Sequence, residues 1–148
     1  EKANFSIFSS TSLMEAKYLK AEVRSGEKNV SIEGNFVEST PQVISRNGLT
    51  FRYRKLSLTS LFSYTAKSYA DALNTVQTSA NGSVGLVPAY GILDFNATYR
   101  ISSKLLLKFN LNNATNKQYF TKRPQFYPGP GIWASDGRGF NLAVSTRF

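Results

Sequence analysis

Phe140-Asn141-Leu142-Ala143-Val144-Ser145-Thr146-Arg147-Phe148 alternates strictly in steps of two. Phe140, Leu142, Val144, Thr146 and Phe148 fall on one face of an extended strand, and Asn141, Ala143, Ser145 and Arg147 fall on the other. An alternating run of about ten residues crosses a bilayer once as a tilted strand. The edge strand of a soluble antiparallel sheet alternates in the same way. The stretch therefore establishes a strand and leaves open which solvent faces it.

The same period recurs upstream, while helical periodicity is hard to find. Five further strands are expected, over residues 3–13, 42–53, 56–66, 91–99 and 105–113. The first is the least regular, with Phe5, Ile7 and Leu13 on one face. From the second strand on, the charged residues inside the spans are Arg46, Arg52, Asp94, Lys108 and Arg147, and all five share the polar parity. A charge on the lipid face at the bilayer midplane costs roughly 2–4 kcal/mol, so a membrane strand must segregate in this way. A soluble sandwich would also segregate, with its apolar face turned inward.

The connections separate the two readings. Arg54-Lys55 joins one strand pair and residues 100–104 join another, whereas residues 14–41, 66–90 and 114–138 form long links read as structureless. Tight and long connections alternate, as in a transmembrane barrel with short turns on one side and long loops on the other. Three such long links are rare in a compact soluble domain. The expected fold is all-β, an antiparallel up-and-down transmembrane barrel. Six strands are too few to close one, so they are six strands of a larger barrel or one protomer of an assembled barrel.

Composition narrows function. The chain has 148 residues, no Cys and no His, which removes disulfides, Cys-His and Ser-His-Asp catalysis and the usual zinc and haem ligands. No carboxylate pair is placed for acid/base work, so no catalytic site, metal or cofactor is expected. No apolar run is long enough for a membrane-spanning helix, which leaves a β-barrel unaffected. The net charge of +9 suits anionic partners. The basic residues are dispersed and no nucleic-acid motif appears, so nucleic acid is not expected as a partner. Eight Tyr and eleven Phe would furnish aromatic girdles at the membrane interfaces or the core of a sandwich.

The second long link carries Ala70-Asp71, Asn74-Thr75-Val76, Ser79-Ala80, Gly82-Ser83, Gly85 and Pro88. Around it stand Gly34-Asn35 before Pro41, Asn112-Asn113 before Tyr119-Phe120, then Pro128-Gly-Pro-Gly131, Gly137-Arg138 and the terminal Phe148. In these landmarks, which cover residues 30 to 148, the sequence resembles the TonB-dependent outer-membrane receptors, most closely their ferric-citrate branch. The resemblance implies a 22-strand barrel around a plug, energised through TonB, of which residues 1–148 would be the C-terminal segment. The function it implies is import of a ferric chelate, ferric citrate or a related siderophore, across the outer membrane. Cobalamin, oligosaccharide or peptide import by the same architecture, and a soluble all-β binding domain, stand as alternatives. Implied partners are the ferric chelate, the TonB complex, outer-membrane lipid, lipopolysaccharide and the barrel-assembly machinery, for which the terminal Phe148 resembles the assembly signal.

Candidate ligand contacts follow. Lys122, Arg123 and Arg138 are cations beside exposed aromatics, and Arg reads carboxylates bidentately. Tyr127 and Trp133 would supply stacking, with Asn74 and Gln77 from the second link. The tip Tyr127-Pro-Gly-Pro-Gly131 departs from the polar tip of the ferric-citrate branch, which puts citrate itself in doubt. Arg46, Arg52, Asp94, Lys108 and Arg147 would line the lumen, where pairing with plug or neighbouring-strand groups is their simplest role. Gly82-Ser-Val-Gly85 lacks the Lys and helix of a phosphate loop.

Overall fold

A computed structural model describes residues 2–127 and 129–147. Along the chain run β1 (Asn4–Leu13), β2 (Glu22–Ser25), β3 (Lys28–Ser31), β4 (Val43–Tyr53), β5 (Leu56–Thr65) and β6 (Ser68–Tyr69). They are followed by β7 (Leu86–Val87), β8 (Tyr90–Arg100), β9 (Leu105–Asn112), β10 (Phe120–Lys122), β11 (Trp133–Ala134) and β12 (Gly139–Thr146). The six long strands form one antiparallel sheet in the order β1-β4-β5-β8-β9-β12. Each long strand pairs with the next, which is an up-and-down meander. All six expected strands are present, with ends shifted by a residue or two.

The register turns the expected parity into a surface. Phe5 pairs with Phe51, Phe51 with Leu58, Leu58 with Ala97, Ala97 with Phe109 and Phe109 with Leu142. Directly paired residues share a face, so this row runs unbroken across the sheet on one side. On the other side Arg52 pairs with Ser57, Ser57 with Thr98, Thr98 with Lys108 and Lys108 with Ala143. Every large exposed apolar side chain of the sheet except Phe8 belongs to the first face. Phe8 lies on the polar side beside Gly48, where the missing side chain leaves room for Phe8 and Leu61.

The apolar face is bare: Ile7 is 82% and Phe140 79% exposed. Among the described residues the buried apolar side chains are Ile32, Ala70, Val87 and Ile92, and only Ile92 belongs to the sheet. The core therefore sits where the long connections fold onto one end of the polar face. Among the described residues no second sheet covers the apolar face, as a sandwich would require.

The long connections are not structureless. Each holds a two-stranded ladder: β2–β3, β6–β7 and β10–β11. The first is a hairpin whose turn starts at Gly26, in the left-handed region at φ 63°, with Val23 opposite Val30. Strands of two to four residues are too short to show a period, which is why alternation alone missed them. The tight connections are as expected: Lys55 O accepts from Arg100 N at 2.9 Å, and Lys55 Nζ donates to Ile101 O at 2.9 Å, tying the two turns together. Phe148 and Pro128 of the loop tip lie outside the described residues.

Candidate functional site

The three long connections gather at one end of the sheet and lock onto one another. Asn74, at φ 55°, donates from Nδ2 to Phe36 O at 2.8 Å, and its Oδ1 accepts from Phe36 N at 2.7 Å. The carboxamide thus occupies both backbone groups of a residue in the first connection, as a neighbouring strand would. Asn35 Nδ2 donates to Ala72 O at 2.9 Å, Ser39 N donates to Tyr69 O at 2.8 Å, and the Phe36 and Tyr69 rings stack at 6.3 Å. Asp71 shapes the turn beside them: its Oδ1 accepts from Leu73 N and Thr75 Oγ1.

Arg123 joins the third connection to the second. Its Nε donates to Leu86 O at 3.0 Å, one terminal nitrogen to Gly82 O at 2.8 Å and the other to Thr78 Oγ1 at 3.1 Å. Its guanidinium lies 4.7 Å from the centre of the Phe120 ring. Burial holds the Arg123 pKa below the usual arginine value, the direction expected for a cation taken out of water. Two glycines of the second connection, both at positive φ, sit in close quarters, Gly85 against its own connection and Gly82 against the third. A Cβ at Gly85 would stand 2.9 Å from Gln77 O, and one at Gly82 would stand 3.3 Å from the Gly131 backbone.

The third connection is anchored to the sheet through Asp94. Its Oδ1 accepts from the backbone N of buried Asn113 at 2.7 Å. Asn113, at φ 48°, then donates to Lys117 O and accepts from Lys117 N, closing the first turn of the loop. At its far end Asn116 Oδ1 accepts from Arg138 N at 3.0 Å. The loop so held folds over the polar face. The Tyr119 ring packs 4.5 Å from that of Tyr90, above a cleft of about 640 Å³ whose walls include Asp94, Thr121, Trp133 and Asp136.

The expected ligand residues divide accordingly. Trp133, 56% exposed, lines the cleft, and Lys122 is its cross-strand neighbour. Tyr127, 90% exposed, stands at the loop tip. Gln77 is exposed on the second connection and Arg138 at the base of the third. Asn74 and Arg123 hold the loops together with the polar atoms that were expected to meet a ligand. Tyr119 and Asp136 line the cleft, and Tyr90 packs against Tyr119, without having been singled out. Tyr119 stood only among the landmarks, and nothing local to the sequence brings it over Tyr90. Arg46, Arg52, Asp94 and Lys108 share the polar face by register, and Arg147 continues it beyond β12. The ion pair among the described residues is Lys17–Glu15, on the first connection, so these strand cations have no carboxylate partner there. No cluster of metal-ligating side chains occurs among the described residues.

No protein-family model matches the chain. Over 85 residues, 57% of its length, the chain is 32% identical to the probable TonB-dependent siderophore receptor PiuA of Acinetobacter baumannii, and the match spans 10% of that protein. The crystal structure of PiuA superposes with a TM-score of 0.76 at 23% identity, covering 96% of this chain and 19% of that one. The ferric citrate transporter FecA in its unliganded form superposes with a TM-score of 0.81 at 23% identity, covering 98% and 21%. The ferric-catecholate import receptor Fiu of E. coli K12 gives 0.67 at 13% identity, covering 97% and 19%. The likeness to TonB-dependent receptors carried by the motifs is thus present in sequence for PiuA and in fold for PiuA, FecA and Fiu. The chain spans about a fifth or less of each of these proteins.

Proposed function

We propose that the chain is a six-strand segment, the C-terminal one by resemblance, of a TonB-dependent outer-membrane importer for a ferric chelate. The observation that carries this is the register. One face of the six-stranded sheet is apolar and free of charge, the opposite face holds every charge of its strands, and tight turns alternate with long connections. A bare apolar sheet face is unfavourable in water and matches the hydrocarbon of a bilayer. Among the described residues the outer strands β1 and β12 each pair on one side only. In lipid, their open backbone groups require further strands, which is how the segment enters a larger, 22-strand barrel. The relatives named as siderophore receptors support the ligand class.

In this reading the locked connections form part of the external mouth and the polar face lines the lumen against a plug. This segment would contribute an aromatic, hydroxyl-bearing wall from Tyr119, Thr121 and Trp133, with Tyr90 packed against Tyr119. Asp94 and Asp136 in that wall disfavour a naked tricarboxylate there. The negative charge of a chelate would be met at the rim, by Lys122 and Arg138, and by parts of the receptor outside this chain. Ferric citrate therefore stands as one member of the ligand class.

The test is uptake of radiolabelled ferric chelates by iron-starved cells that express the complete receptor, in tonB-positive and tonB-deleted backgrounds. Uptake of at least one ferric siderophore that depends on both the receptor and TonB is expected. TonB-dependent uptake of cobalamin or an oligosaccharide, with no ferric chelate transported, would replace the ligand class and keep the architecture.

A further inference from the structure

Charge is sorted along the strands as well as across them. Among the described residues every side-chain carboxylate except Asp94 lies in the long connections. The opposite end, where the tight turns are, carries Arg54, Lys55 and Lys104 at its tips and Arg52, Arg100 and Arg147 on the polar face behind them. At the same end the apolar face finishes in aromatics. Tyr53 pairs with Leu56 and Leu56 with Tyr99, and both tyrosines are exposed. Arg54 folds back so that its guanidinium lies 5.3 Å from the centre of the Tyr53 ring. Lys55 holds its ammonium over the Ile101 carbonyl of the next turn. The order along the outer surface is therefore apolar band, tyrosine belt, cations.

We propose that the turn end is a binding surface for anionic phospholipid headgroups, built from Arg54, Lys55 and Lys104 around Tyr53 and Tyr99; the proposal rests on the membrane-barrel reading. Tyrosines placed at the headgroup level and cations one step further out are the arrangement that meets a phosphate layer. The cations sit outside the apolar band, so none is drawn into hydrocarbon. The bridge between Lys55 and Ile101 brings the two turns side by side, which presents the three tip cations as one patch instead of separate charges. Each basic residue near an anionic surface contributes on the order of 1 kcal/mol, about fivefold in affinity, and less as salt rises. A lipid with one negative charge on its phosphodiester should be retained there in preference to a zwitterionic one. The inward cations, Arg52 and Arg100, face the other way and belong to the lumen.

The experiment uses the complete receptor with Leu56→Cys carrying a fluorophore, reconstituted in phosphatidylcholine with brominated phosphatidylglycerol or brominated phosphatidylcholine as quencher. Leu56 lies on the apolar face beside Tyr53. At least fivefold preferential quenching by phosphatidylglycerol is expected, reduced by high salt. It should fall to near parity in Arg54→Gln/Lys55→Gln/Lys104→Gln and persist in Lys20→Gln/Arg24→Gln/Lys28→Gln at the other end. Equal quenching by the two lipids in the unaltered receptor overturns the proposal and leaves the barrel reading intact. So does a preference that survives the turn variant but is lost in Arg52→Gln/Arg100→Gln, which would place the anion in the lumen. Quenching by neither lipid removes the membrane reading and this proposal with it.

Discussion

Asn74 pairs with both backbone groups of Phe36, thirty-eight residues earlier, through hydrogen bonds of 2.7 and 2.8 Å. The contact does for two loops what one rung of a ladder does for two strands. It also explains the backbone of Asn74, since asparagine tolerates the left-handed region better than other side chains do. Asn74→Ala loses both hydrogen bonds and strains the backbone; Asn74→Gly loses only the bonds. Asn74→Ala should loosen the first and second connections by about 1–3 kcal/mol. Asn74→Gly should loosen them less. Amide exchange at Phe36, measured in the complete receptor, reads the difference; protection unchanged in both variants would show that Phe36 and Tyr69 stacking suffices.

Arg123 should behave as a bolt. Its three hydrogen bonds reach carbonyl and hydroxyl oxygens spread from Thr78 to Leu86. A lysine cannot reproduce that fork, so Arg123→Lys should relax residues 66–89 almost as much as Arg123→Ala does. The barrel strands should keep their stability, because the loss is local to the loops. Limited proteolysis of the complete receptor checks this: new cleavage in residues 66–89 is expected, with an unchanged unfolding temperature for the barrel.

The two faces of the sheet make a direct prediction about solvent. Single cysteines in place of Phe51, Phe62, Phe95, Phe109 and Leu142 should report a lipid-soluble quencher when labelled. Cysteines in place of Arg52, Lys108 and Arg147 should not. Asp94→Cys also faces inward but gives up the bond to Asn113 N, so its label should report a loosened third connection as well. Quenching of both sets alike would remove the membrane assignment.

The strands were legible because period two is a local signal and each long strand repeats it four or five times. The tight turns were legible because two such runs abut at Arg54-Lys55. The interlocking of the loops was not legible. Asn74 and Arg123 read as free polar groups, since their partners at Phe36, Gly82 and Leu86 are fixed only by the tertiary fold. The cleft was half legible: Trp133 was expected to supply stacking, whereas Tyr90 and Tyr119 meet only because Asp94 and Asn113 aim the third connection across the polar face.

Tyr18 gives the first connection a pH signature. Its hydroxyl donates to Glu38 Oε2 at 2.6 Å, and that hydrogen bond, then burial and the carboxylate charge, raise its pKa above the usual tyrosine value. A raised folded pKa stabilises the fold while the phenol is protonated. The contribution is complete below the unfolded pKa of about 10 and is lost as pH climbs through the higher folded value. Tyrosinate absorbance should show one late-titrating tyrosine in the complete receptor that is missing from Tyr18→Phe and becomes normal in Glu38→Gln. An early or unchanged titration would mean that the pair is broken in solution.

The last prediction separates charge from contact at the mouth. Lys122 and Arg138 are exposed, so each should contribute only on the order of 0.2–1 kcal/mol to binding of an anionic ferric chelate, screened by salt. Lys122→Ala/Arg138→Ala should therefore weaken binding several-fold at low ionic strength and little at high. Trp133 lines the cleft and offers ring area instead of charge, so Trp133→Ala should weaken binding by a similar factor at every salt concentration. Arg123→Ala should resemble neither. Because its guanidinium is bonded to the second connection, its effect should be on loop order and should appear for neutral and anionic ligands alike. Equilibrium binding to the complete receptor in detergent, across a salt series and with several ferric siderophores, distinguishes the three. If Lys122→Ala/Arg138→Ala binds every anionic chelate unchanged at low salt, the rim cations take no part and this segment contributes only its aromatic wall.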